Sequence, residues 1–179
     1  MTKKLLLFAS LLLIIACGDK KEKEIAAIPM SFETVRLDSL FVKTPDAQFP
    51  ALRHKYPYFF TPSISDSEWV EIKRKPIFPD LPEFSNIYYH TLYGEVEKQL
   101  GNLSTEKKEL KGLFQHIKYY FPKFEAPKVV TLLSRVDYES RVIYADSLLL
   151  IGTDNYLGAK HPFYQDMERY IATELDKKY

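Results

Sequence analysis

A single thiol, four histidines and scattered carboxylates are the groups in this 179-residue chain whose types could do chemistry. The thiol, Cys17, sits in "LLLIIACGDK", at the seam between an uncharged apolar run and a burst of charge. A lone cysteine is ordinarily a small core residue. Here Gly18, Asp19, Lys20 and Lys21 follow it directly, which argues against burial. With no second cysteine, no internal disulfide can form. Among the histidines, His90 has Asn86 and Gly94 as helical neighbours, and His116 has Gly112 and Tyr120. Neither meets the partners of an H-E-x-x-H run, which places two zinc ligands and a base on one helical face. His54 lies beside a short helix and His161 precedes Pro162, positions suited to surface or capping roles. No metal ligand set is assigned. There is no G-x-S-x-G nucleophile elbow, and six glycines leave little room for a phosphate-cradling loop. Asp137, Glu139, Asp146 and Asp154 fall near the ends of β-type runs, where carboxylates can bind calcium. Without the regular alternation and glycine of an EF-hand loop, they read as solvated turn residues. The expectation is therefore no catalytic residue, no cofactor and no small-molecule substrate: a chain that is not an enzyme.

The surroundings of Cys17 give the thiol a different role. The run Leu5 to Ala16 follows Lys3 and Lys4 and carries no charge, the positive start and greasy middle of a secretory signal. Its twelve residues would rise only about 18 Å as a helix, short of the roughly 30 Å hydrocarbon core. A permanent transmembrane anchor is thus not expected. The segment closes on Ile14-Ile15-Ala16-Cys17, a lipobox, similar to bacterial lipoprotein precursors. In that class the Cys17 sulfur takes a diacylglycerol, and cleavage between Ala16 and Cys17 makes Cys17 the first residue of the mature chain. Residues 1–16 are then a signal peptide. Residues 17–29 are the lipidated cysteine and a polar tether, "GDKKEKEIAAIP", whose alternative reading is a frayed first helix. Removal of residues 1–16 takes away two lysines and no acid, moving the net charge from +1 to −1. Lysines and acids alternate throughout, so nucleic acid is not an expected partner.

Whatever function the chain has must be positioned by residues 30–179. "MSFETVRLD" alternates weakly as a strand. Pro45, Pro50, Pro57 and Pro62 then cut the chain into short pieces, with a short helix at Gln48 to Lys55 and an aromatic turn, "YPYFF". Asp66 or Ser67 caps a helix running to about Arg74, with Trp69 and Ile72 inward. Tyr88, Leu92, Val96 and Leu100 recur every four residues in a helix from Ser85, ended by Gly101. Leu110, Leu113, Phe114, Ile117, Tyr120 and Phe121 form the stripe of a second long helix, Thr105 to Phe121, capped by Ser104 or Thr105; a short loop would make the two a hairpin. Three β-type runs, "VVTLL", "RVIYA" and "LLLIG", lie too close together for helical crossovers, which favours antiparallel pairing. Pro162 opens a final helix with Phe163, Met167, Tyr170, Ile171 and Leu175 on one face. The predicted class is α+β, helix-rich, with a small, mainly antiparallel sheet. The clusters "YPYFF", "IYYHTLY" and "IKYYF" suit either a partner surface or a core.

From Leu113 to Tyr164, and most densely in "RVIYADSLLLIGTDNYLG", the chain resembles the gliding-motility lipoprotein family GldB, with "HKYPYFF" and the lipobox adding to the match. The resemblance implies a lipoprotein of the cell envelope, held in the inner or outer membrane by the lipid anchor and its palmitate-type acyl chains, and facing the periplasm. It implies a non-enzymatic role in gliding motility, with other motility or secretion envelope proteins as partners. It also implies a layout like the zinc-peptidase superfamily, incomplete here, and so an alternative: a metallopeptidase-like enzyme whose metal-binding half is absent from this chain. Family members run well past Tyr179, so residues 30–179 are expected to be the N-terminal part of a longer, truncated family domain.

Overall fold

A short helix and a long one make up the first of two units in the structure, a computed structural model that describes residues 20–80, 85 and 87–177. In chain order the elements are α1 (20–26), β1 (Thr34–Arg36), α2 (Leu37–Lys43), α3 (Phe49–Lys55), α4 (Asp66–Arg74), α5 (Tyr89–Leu100), α6 (Ser104–Tyr120), β2 (Lys128–Leu132), β3 (Val142–Ala145), β4 (Leu148–Gly152) and α7 (Arg169–Glu174). Of the described residues, the first unit comprises 20–32 with Leu103–Ala126; the second comprises the rest, within 33–102 and 127–177.

In the first unit, the segment expected to be a polar tether contains α1, and Ile25 within it is buried. A helix end leaves carbonyls without intrahelical partners. Here the buried Gln115 side chain answers them, its Nε2 donating to Ala26 O at 2.9 Å and Ile28 O at 2.8 Å. Phe32 meets Phe114 edge-on at 5.1 Å, and Phe124 lies 5.8 Å from the same ring. The apolar stripe of α6 is only partly inward. Phe114 is buried and Ile117 half-buried, but Leu113, Tyr120 and Phe121 are exposed. Leu113 and Tyr120 are offset by about 100° from Phe114 around the helix, enough to turn them outward. Neither Ser104 nor Thr105 caps α6; Leu103, in a left-handed conformation at φ 61°, precedes its first residue.

The second unit is built on a four-stranded sheet in the order β1-β2-β4-β3. β1 runs parallel to β2 and β2 parallel to β4; only β3 and β4 are antiparallel. This corrects the expectation of a mainly antiparallel sheet, which took neighbours in sequence for neighbours in space. A parallel pair needs a crossover of about a dozen residues or more. Residues 133–147, with β3 inside them, supply one for β2 and β4. The partition follows side-chain character. β4, "LLLIG", takes a central place, whereas β3, with Val142, Ile143 and Tyr144 exposed, forms the edge. The register sets Val130 beside Leu150 and Val129 beside Leu149. No peptidase-like layout is shown by this arrangement.

Val35, Leu37, Phe49, Leu52, Phe60 and Val130 form a buried cluster, with Leu148 and Leu150 packed against it. Phe41 extends it with edge-on contacts to Phe49 at 5.7 Å, Trp69 at 6.3 Å and Tyr89 at 5.0 Å. "YPYFF" is therefore divided, Phe60 inside and Tyr58 outside. The cap of α4 is Ser65 rather than Asp66 or Ser67, in a reciprocal capping box with Glu68. Leu92, Val96 and Leu100 of α5 are buried, and Gly101 ends that helix at φ 53°. The expected final helix is interrupted. A 3-10 turn, Pro162–Tyr164, is followed by turn residues and an extended Glu168 (ψ 134°) before α7 begins. The break rotates the face: Tyr164, Ala172 and Leu175 are buried and Tyr170 is exposed.

Phe49 is fully buried among rings, so Phe49→Ala should cost about 3–5 kcal/mol. Tyr144→Ala, on the exposed edge strand, should fall within about 0.5 kcal/mol of the parent. Urea unfolding midpoints of the two variants check the contrast.

Candidate functional site

The carboxyl ends of β1, β2 and β4 converge on a buried polar lattice, the place where open α/β sheets commonly carry their sites. The chain passes from β1 into α2 without a connecting residue, which sets Arg36 and Asp38 two positions apart at the junction. Asp38 is 1% exposed. Its carboxylate accepts from Arg36 Nε at 2.9 Å and Nη2 at 2.9 Å, from Thr131 Oγ1 at 2.7 Å and from Thr153 Oγ1 at 3.2 Å. Thr153 also donates to Leu132 O at 3.1 Å, and Arg36 Nη1 to Gly101 O at 3.0 Å. Burial alone would lower the Arg36 guanidinium; the Asp38 carboxylate more than offsets it and raises the group above its ordinary value. One carboxylate thus joins the ends of three parallel strands.

A second buried carboxylate lies one residue beyond Thr153. Asp154 accepts from Ser134 N at 2.8 Å, Ser134 Oγ at 3.1 Å and Val136 N at 2.7 Å. These bonds hold a loop in which Arg135 and Val136 both take positive φ, 62° and 58°, a conformation costly for a β-branched residue. Burial pushes the Asp154 carboxyl above its ordinary value, against the pull of those donors. Asn155 Nδ2 donates to Ser134 Oγ at 2.8 Å and Asp137 O at 3.3 Å. The Tyr164 hydroxyl donates to Asp154 O at 2.5 Å and accepts from Leu157 N at 3.0 Å; burial raises its pKa, so it stays a donor. The lattice closes on Gly152, where a Cβ would stand 2.8 Å from Asn155 Nδ2 and 2.9 Å from Ser134 Oγ.

Two apolar cavities lie in the same unit. One, of about 190 Å³, is lined by Leu37, Phe41, Phe60, Trp69, Tyr89 and Leu132 among others. The other, of about 270 Å³, is lined by Phe78, Ile87, Val136, Phe163 and Met167, with Arg135 and Asp166. Neither lining includes a histidine, cysteine or serine. Asp38 and Asp154 are enclosed and already accept the donors around them, so the work of the lattice is positional: it fixes where strands and loops end.

The residues singled out from the sequence are not brought together. Ala16 and Cys17 lie outside the described residues. His54 is exposed, and His90 is exposed and stacks on Tyr88 at 5.4 Å. His116 lies 2.8 Å from Gly112 O and 3.4 Å from Glu22. His161 caps the 3-10 turn, its Nδ1 accepting from Phe163 N at 3.3 Å, and its Nε2 lies 3.5 Å from Glu95. Of the four acids read as solvated turn residues, Asp137, Glu139 and Asp146 are exposed, but Asp154 is fully buried and needs correction. "LLLIGTDN" holds the missed signal: a strand covered on both faces carries its next polar residues inward. Among the described residues, no group of three or more His, Cys, Asp or Glu side chains could hold a metal ion. No helix among them is long and apolar enough to cross a membrane.

Breaking one partner of a buried ion pair is costly, so Asp38→Asn should lower stability by about 3–5 kcal/mol. Gly152→Ala, which forces a Cβ into Asn155 and Ser134, should cost about 1–3 kcal/mol. Thermal and urea melts measure both; a Gly152→Ala protein as stable as the parent would show that the lattice yields freely.

No curated protein and no solved structure matches the chain. A protein-family model described as "Gliding motility protein GldB" matches residues 18–179. With a match spanning all the described residues, the chain belongs to the GldB family of gliding-motility lipoproteins.

Proposed function

We propose that this protein is a lipid-anchored, non-enzymatic component of the gliding apparatus, attached to the membrane through a diacylglycerol on Cys17 after cleavage between Ala16 and Cys17. Residues 1–16 are then the signal peptide. The observation that carries the reading is the family match, which begins at residue 18, directly after the chain's sole thiol and its lipobox. The protein works in the cell envelope, facing the periplasm, through contacts with other motility and secretion proteins. The buried, fully engaged carboxylates support a role through shape and contact rather than through bond chemistry.

Stable anchoring takes more than one acyl chain, and a lipoprotein deprived of its modified cysteine loses the means to acquire any. In a gliding host, Cys17→Ser should abolish incorporation of labelled palmitate, leave the precursor unprocessed or outside the membrane fraction, and stop colony spreading. Unchanged labelling, processing and fractionation would overturn the lipid anchor. The secretion link is tested by deletion: protein delivered to the cell surface should fall together with spreading, and normal delivery from a non-spreading strain would remove that link.

A further inference from the structure

We infer that the α1–α6 unit carries a second membrane contact, in which Leu113, Tyr119, Tyr120 and Phe121, with Lys21, rest at the headgroup level of an anionic bilayer. The inference rests on the proposed Cys17 anchor, which brings the unit to the surface. Leu113 is 52% exposed, Tyr119 36%, Tyr120 56% and Phe121 67%, a concentration of bare apolar and amphipathic side chains along the second half of α6 and on the residue that follows it. Leu113 and Tyr120, two turns apart, share a face of the helix. Tyrosine suits the membrane interface because its ring is apolar and its hydroxyl is wet.

Three further observations point to a bilayer as the occupant. Lys21 Nζ lies 5.0 Å from the centre of the Tyr120 ring and 5.9 Å from that of Tyr119, so α1 places a cation within the aromatic patch. Lys21 is four residues after Cys17, and even fully extended chain puts its Cα within about 14 Å of the lipidated residue. The patch is therefore delivered to the surface by the anchor itself. Charge divides between the units in the same sense. Residues 18–32 and 103–126 hold eight lysines and six acids, a net charge of +2, whereas residues 33–102 and 127–179 hold fifteen basic and eighteen acidic residues, a net charge of −3. Lysines close to an anionic leaflet are drawn to it. The exposed side chains of β3 lie in the negatively charged unit and have no such tether.

The test uses the full lipidated chain reconstituted in vesicles. Trp69 is the only tryptophan, so Tyr120→Trp adds one reporter at an exposed position. Vesicles of phosphatidylglycerol and phosphatidylcholine with brominated acyl chains quench tryptophan that reaches the interface. The emission added by Tyr120→Trp should fall by about half in anionic vesicles, as expected of an interfacial ring. In the same variant, Lys21→Glu together with Lys123→Glu, an exposed lysine two residues past Phe121, should remove most of the quenching while the protein still floats with the vesicles. Flotation without quenching would overturn the patch and leave the anchor standing, as it would if a protein partner covers this face. Equal quenching in purely zwitterionic vesicles, untouched by the lysine changes, would overturn the anionic preference. A chain that does not float would show that the anchor fails, and the patch with it.

Discussion

The second unit depends on the burial of the Asp38 carboxylate. A charge removed from water must be met by donors on nearly every lone pair, or it destabilises the site that holds it. Here the donors come from Arg36 at the end of β1, Thr131 in β2 and Thr153 just past β4. Satisfying one carboxylate therefore fixes the relative ends of three parallel strands that lie far apart in sequence. The next residue after Thr153, Asp154, repeats the device on the loop that follows β2, and Tyr164 and Asn155 extend it. Polar groups at the sheet's carboxyl end, where other α/β proteins commonly bind a ligand, here bond largely to one another, the buried Asn155 Oδ1 being left without a partner.

A densely hydrogen-bonded buried network makes a fold rigid, and in this one the Asn155 Oδ1 alone of that side chain's polar atoms lacks a partner. The two units differ in the surfaces they offer. The unit next to Cys17 is small, positively charged and rich in exposed rings, while the unit holding the sheet is larger and negatively charged. The first offers exposed rings, and the second an exposed edge strand on a body of net negative charge.

Much of the helical content was legible because its signals are local. Leu92, Val96 and Leu100 recur at a spacing that only a helix turns to one side, and Gly101 supplies the positive φ that ends it. Where two local signals competed, the sequence was less decisive. The α6 stripe is wide enough to bury either Phe114 and Gln115 or Leu113 and Tyr120, and it is Gln115, holding the carbonyls at the end of α1, that belongs to the buried side. The final helix failed for a similar reason: apolar spacing continues through residues 165–168, but the backbone does not, and nothing in the residue types marks Glu168 as extended.

By itself the sequence determined the charge-flanked thiol with its lipobox, the family, the α+β class and the location of the main helices and strands, all of which are written in contiguous residues. Tertiary structure alone decided that β4 lies between β2 and β3, that the sheet is mostly parallel, and that Asp38 and Asp154 are interior groups. The reason is physical. Strand order and carboxylate burial are set by partners separated by tens of residues: Asp38 is satisfied by Thr131 and Thr153, 93 and 115 positions away. No window of sequence contains both ends of such a bond, whereas a helix carries its own partners within every turn.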